Sequence, residues 1–256
     1  MTRLTVATLN IRNIADRWPE RLPLLIADMA ALQPDVMGLQ EVLFAVEQDR
    51  VIAAAGPGRY SIERAWAGRP EYGNALLVRE PLGVTSVERL DLEPNRSALR
   101  GLVALGDATL LIAVTHLHHL PADEAVRDEQ TARLLDWLSS GPPADALVVV
   151  GDFNAEPDEP ASERMRSNGF RSAFAEANGA DPDVTWPSGI QAPALDADGD
   201  PGCIDYVWLR GAARSVSARL VFDRPAVGDT TLYPSDHFGI AAVVDVGGAT
   251  APASDR

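Results

Sequence analysis

Leu147-Val148-Val149-Val150-Gly151-Asp152-Phe153-Asn154 passes from an unbroken apolar run to a glycine, then to an acid and an amide on either side of one aromatic residue. Four consecutive large apolar residues fit a buried strand, and Gly151 stops it abruptly. If the chain stays extended, Asp152 and Asn154 point the same way, an acceptor and an amide donor around one small object such as a water molecule, while Phe153 points into packing. The plain alternative is a Gly-Asp turn after a buried strand.

Other apolar runs end in the same manner. Leu4 to Leu9 reads as a strand and delivers Asn10; Val36 to Leu39 delivers Gln40 and Glu41; Thr109 to Thr115 delivers His116 and forms a hairpin with Leu99 to Leu105 through Gly106-Asp107. Asn74 to Val78, Cys203 to Leu209, Val216 to Phe222 and Ile240 to Val246 supply further strands, the last preceded by Ser235-Asp236-His237. Helices are expected from near Pro19 to Leu32, around Val46 to Ala55, and from Ala122 to Leu138 with Asp123 and Glu124 in its first turn. Hairpins mixed with helical crossovers imply an α/β (α+β) sandwich, a pair of mixed sheets with helices outside.

The motif stretches span almost the whole of the 256 residues, and no linker separates them, so a single domain over 1–246 is expected, with a small, polar tail over 247–256 that frays. A formal charge of −15 sets up a field that repels polyanions and works against nonspecific grip on nucleic acid. All 22 basic residues are arginine, the side chain suited to bidentate phosphate contacts. One cysteine, Cys203, excludes an internal disulfide, and no apolar run is long enough to span a bilayer. The expected location is the cytoplasm, and no obligate protein partner is evident.

Glu41, a lone acid past an apolar strand, suits a hard divalent cation that keeps several waters. Asp205 lies among apolar neighbours, where a carboxylate needs a partner; an imidazole such as His237 would serve, its tautomer fixed and its pKa raised. His116, His118 and His119 leave a strand together, and alternation places His116 and His118 on one face. Zinc is the poorer reading, since one further histidine and one distant cysteine make a thin supply of nitrogen and sulfur ligands. Asp196, Asp198 and Asp200 resemble the start of a calcium loop, but the glycine falls one place late and Val207 stands where a closing Glu belongs. Tyr72, Arg100 and Trp186 are candidates to line a substrate cleft, each equally suited to packing.

Taken in order, Thr8-Leu9-Asn10, Leu39-Gln40-Glu41, Gly73-Asn74-Ala75, Thr115-His116-Leu117, Gly151-Asp152-Phe153-Asn154, Ile204-Asp205-Tyr206 and Ser235-Asp236-His237 resemble the endonuclease/exonuclease/phosphatase superfamily. The resemblance implies two packed β-sheets flanked by helices on both outer faces, a four-layer sandwich. It also implies Mg²⁺ or Mn²⁺ held by Glu41 with Asn10 and Asp236, a water oriented or deprotonated by Asp152 with Asn154, and a transition state stabilised by His116 and by His237 supported by Asp205. Asn74, Tyr72, Arg100, His118, Arg127 and Trp186 are the candidate substrate contacts, and the substrate is a phosphoester, small, lipid-derived or nucleic acid. A phosphodiesterase is the leading expectation, a nuclease on DNA or RNA the alternative. A noncatalytic module that binds phosphorylated ligands is the rival of another class.

Overall fold

Side-chain alternation along the strands decides which layer each residue enters. The computed structural model describes residues 1–193 and 199–247, and the described residues form twelve strands and five helices. In chain order they are β1 (Thr2–Asn10), α1 (Trp18–Leu32), β2 (Val36–Leu43), α2 (Gln48–Ala53), β3 (Tyr60–Trp66), β4 (Tyr72–Arg79), β5 (Thr85–Asp91), β6 (Ser97–Leu105) and β7 (Ala108–His116). There follow α3 (Glu124–Ser139), β8 (Ala146–Asp152), α4 (Pro160–Ser167), β9 (Arg171–Ser172), α5 (Ala173–Asn178), β10 (Asp205–Gly211), β11 (Ala213–Val221) and β12 (Gly239–Val246). Asp196, Asp198 and the tail from 248 lie outside the described residues.

Two six-stranded sheets result, the first in the order β11-β12-β1-β2-β4-β3 and the second β5-β6-β7-β8-β10-β9. Each contains one parallel pair, β1 with β2 and β7 with β8, and each such pair is bridged by a helix, α1 or α3, because a parallel neighbour needs a crossover. The remaining neighbours are antiparallel. Both sheets are therefore mixed.

Val148 and Val150 point between the sheets, where they meet Val6, Val36, Leu76, Ile112, Val114 and Ile240. Val149 points the other way, to Leu134, Leu138 and Met165 of α3 and α4. On the opposite outer face Leu25 and Met29 of α1 and Ile52 of α2 cover Ala7, Leu9, Met37, Leu39 and Leu77. This is the expected four-layer sandwich. The sheets approach closely at Gly38, where a Cβ atom would lie 2.5 Å from a Val150 methyl and 2.8 Å from one of Val114.

Sequence reading missed β3, β5, the two-residue β9, α4 and α5. β3 and β5 are edge strands, and most side chains of β5 are exposed, so no apolar pattern marks it. The two helices are short, 8 and 6 residues, α4 too polar and α5 too brief to show a periodic stripe. No helix among the described residues is long and apolar enough to cross a membrane.

Candidate active site

Register alone assembles the rim of the second sheet. His116 ends β7 opposite Asp152 of β8, and Asp205 opens β10 opposite the same Asp152, so three functional side chains form one row across neighbouring strands. Gly151 permits this: a Cβ there would lie 2.1 Å from the Thr115 carbonyl oxygen. Phe153 points into packing as expected, edge-on to Tyr206 and Trp208 with ring centroids at 5.7 and 6.1 Å. Asn154 departs from the expected extension. It is left-handed, with φ 48°; its backbone N–H donates to Asp152 Oδ1 (2.9 Å) and its amide to the Leu117 carbonyl (3.1 Å).

The facing rim, on the first sheet, is built from irregular backbone. Glu41 sits at a β-bulge between β2 and β4 with φ 57°, a conformation that few residues other than glycine adopt. Its Oε2 accepts from Asn13 Nδ2 at 2.8 Å. Asn13 belongs to the loop after β1, in which Arg12, Asn13, Asp16 and Arg17 all have positive φ. Arg21, fully buried in α1, holds that loop by donating to the carbonyls of Ile11, Arg12, Asn13, Ala15 and Asp16, and to that of Pro234. Burial draws its guanidinium down to about 10, which leaves it charged at neutral pH. Ser235 Oγ donates to the Asn10 carbonyl (2.6 Å), fixing Asp236 and His237 beside β1.

Hydrogen bonds between functional side chains join the rims. Asn10 Nδ2 donates to Asp152 Oδ2 at 2.9 Å and lies 3.4 Å from Glu41 Oε1; His237 Nδ1 donates to Asp205 Oδ2 at 2.9 Å. Nε2 of His116 and of His237 lie 3.4 and 3.8 Å from Asp152 Oδ2. Burial, then the neighbouring Asp205, raises Asp152 to about 7. His237 is pulled down by burial, but Asp205, Asp152 and Asp236 outweigh it and lift the imidazole to about 10. His116 is driven well below its ordinary value by burial, then by Arg96 and His237. The two imidazoles are thus held in opposite charge states, His237 as the cation and His116 neutral.

Asn10, Glu41, His116, Asp152, Asn154 and His237 line a cleft of about 520 Å³, together with Tyr72, Arg127, Trp186 and Asp236, while Asp205 lies buried behind His237. Burial, then the Glu41 carboxylate, raises the Tyr72 phenol, which keeps it neutral. Arg127 lines the cleft but is committed elsewhere, donating to Glu159 (2.7 Å) and to the carbonyls of Leu120 and Pro121. Asn74 ties the sheets together, its amide donating to the Ser97 carbonyl at 2.8 Å. Asn74 is thus buried outside the cleft lining, and two further expected substrate contacts are also placed elsewhere. Arg100 lies under the outer helices, its guanidinium 4.2 Å from the Trp137 ring centroid and paired with Glu88, because its position in β6 faces outwards. His118 turns away because β7 ends at His116, and its Nε2 donates to Asp123 at 2.8 Å.

Sequence reading assigned no site role to several cleft residues, among them Arg12, Arg96 and Glu156. Arg12 follows Asn10 by two positions and Arg96 immediately precedes β6; nearness to a strand end was their only signal.

The chain is 26% identical over 255 residues to nocturnin of Rattus norvegicus, with 88% of this chain and 58% of nocturnin covered. It spans about three fifths of the length of that relative. It is 26% identical over 262 residues to the uncharacterized protein YbhP of Escherichia coli K12, with 93% and 95% covered. In fold it resembles D. rerio TDP2 complexed with single strand DNA product (TM-score 0.79, 17% identity, 96% of this chain and 100% of that one). It also resembles the endonuclease/exonuclease/phosphatase from Bacteroides vulgatus (TM-score 0.77, 21% identity, 96% and 100%). The model of the Endonuclease/Exonuclease/phosphatase family matches residues 7–237, from β1 through His237, and the chain belongs to that family, whose members are hydrolases acting on phosphoesters.

Proposed function

We propose that the protein is a phosphodiesterase that uses Mg²⁺ or Mn²⁺ and an in-line water. The observation that carries this reading is the pairing of a cationic His237, fastened to Asp205, with an Asp152 whose carboxyl titrates near 7 in the same cleft. An acid and a base whose environments set their protonation apart are what transfer of a water proton requires.

Glu41, Asn10 and Asp236 would hold the metal. The donor set fits a hard cation in its chemistry, the carboxylate oxygens of Glu41 and Asp236 and the amide oxygen of Asn10; Asn10 turns Nδ2 to Glu41 Oε1 and Asp152 Oδ2 and its Oδ1 to the Arg12 N–H. Asp152, Asp205 and His237 also bring ligand atoms within 4.8 Å of one another, but the engagement of His237 Nδ1 by Asp205 supports proton handling for that trio. When bound, the metal supplies Lewis acidity at a phosphoryl oxygen.

Asp152 accepts the proton of the attacking water, and Asn154, locked to it through its backbone N–H, helps to orient that water. His237 presents Nε2–H to a phosphoryl oxygen and offsets the charge that builds there, while Asp205 keeps the ring charged and aimed. Neutral His116 adds a second N–H. Attack in line inverts phosphorus.

A small diester fits better than a polynucleotide, because a net charge of −15 repels a polyanion. Hydrolysis of bis(p-nitrophenyl) phosphate with Mg²⁺ or Mn²⁺ tests the reading. Asp152→Ala and His237→Ala should each lose at least ~10²-fold in kcat/KM, and wild-type rates in either variant would refute the proton-transfer roles of these two residues.

A further inference from the structure

Arg96 is the cation of the cleft that the hydrolytic reading leaves unused. Its neighbours in the cleft wall are committed: Arg12 lies 2.8 Å from Asp16 and 3.5 Å from Asp236, and Arg127 is paired with Glu159. Arg96 has no carboxylate partner among the described residues, although the chain carries 37 acidic residues. It is nevertheless held in place. Its Nε donates to the Leu117 carbonyl at 2.6 Å and its Nη2 to His119 Nδ1 at 3.1 Å, while Nη1 makes only a long contact of 3.4 Å with the Asn95 carbonyl. A half-buried guanidinium, oriented by two bonds and without a counter-charge among the described residues, is a preformed anion site.

Its place in the fold sets the direction of that site. Along the rim of the second sheet, Arg96 precedes β6, His116 ends β7, Asp152 ends β8 and Asp205 opens β10. Arg96 therefore stands two strand spacings from Asp152, roughly 10 Å before the reach of its side chain. Tyr72, at the start of β4, lies at the same end, since β4 packs over β6 and β7. Glu156 and Asp200, with Trp186, line the wall beyond β8 and would repel a second anion there. The cleft is polarised along its length.

We infer that Arg96, flanked by Tyr72 and His119, forms a subsite for a second anionic group, so that the substrate is a small phosphoester bearing a further phosphate on the β6 side of the scissile one. This rests on the hydrolytic reading for the scissile phosphate, but its test does not require turnover. Calorimetry with Mg²⁺ present compares thymidine 3′,5′-bisphosphate with thymidine 5′-phosphate, and glycerol 1,3-bisphosphate with glycerol 3-phosphate. The wild-type protein should bind each bisphosphate more tightly than its monophosphate. Arg96→Gln should cut that preference roughly 10- to 100-fold, and Arg96→Lys should restore part of it. A preference confined to the thymidine pair assigns a nucleotide; a preference in both pairs assigns the second phosphate alone.

Equal affinity of the wild-type protein for bisphosphate and monophosphate in both pairs would overturn the subsite. So would an Arg96→Gln variant of unchanged melting temperature that keeps the full preference. Failure of the hydrolytic reading is seen separately, as absence of metal-dependent turnover of bis(p-nitrophenyl) phosphate.

Discussion

The two rims that meet at the cleft are made in different ways. On the second sheet, His116, Asp152 and Asp205 sit at adjacent ladder positions, so strand pairing itself sets their spacing. On the first sheet, Glu41 depends on a bulge and a left-handed backbone, and Asn13 on a loop held by Arg21. Of the groups proposed to move protons, His116, Asp152 and Asp205 therefore stand on regular structure and His237 lies in the loop before β12, while Glu41, proposed to hold metal, stands on a conformation that other residues must maintain. Errors in the first set cost chemistry; errors in the second should cost affinity for the ion.

The comparison yields graded predictions. Asp152→Asn should lower kcat by roughly 10³-fold at saturating metal, with the fold intact by circular dichroism. Arg21→Met removes the donors to six carbonyls and should destabilise the protein by about 3 kcal/mol or more in urea unfolding, with weakened metal binding. Asn13→Ala releases one oxygen of Glu41 and should weaken Mg²⁺ binding roughly 10- to 100-fold in calorimetry, while kcat recovers at high Mg²⁺. If kcat instead stays as low as in Asp152→Asn, the division between the rims fails.

Titration sharpens the same contrast in the metal-free protein. His237 should keep its proton up to about pH 10, visible in the NMR shifts of its ring. Because its folded pKa lies above the unfolded value of about 6.5, the stability it confers is full below that pH and is lost as pH rises through 10. Asp152, raised to about 7 by burial and then by Asp205, adds a penalty that grows from about pH 4 to 7, so stability should fall with rising pH across the whole interval. Asp152→Asn should lower the His237 pKa. The smallest effect belongs to His118→Ala, within about threefold in kcat/KM, since its ring is turned to Asp123 outside the cleft.

The ladder-built rim was the more legible one. Runs such as Leu147 to Val150 announce buried strands, and the polar residue at the end of each then falls at the rim. Legibility fails where backbone leaves the ladder. Alternation placed His118 beside His116, but β7 stops at His116, so His119 rather than His118 reaches the cleft. Asp152 and Asn154 do meet, through a left-handed turn that periodicity cannot express. Arg21 was invisible because its role lies in the backbone carbonyls it holds, which have no residue code, and Arg96 because what sets it apart is the lack of a carboxylate partner among the described residues.

Gly38 gives the sandwich a mechanical tolerance. Val150, which rests against it, lies two residues before Asp152 on the same strand, a lever of about 7 Å. A methyl group added at Gly38 would wedge the sheets apart at that fulcrum, and the displacement would be felt at the 2.9 Å bond between Asn10 and Asp152. The thickness of the apolar layer thus acts as a gauge block for the site above it.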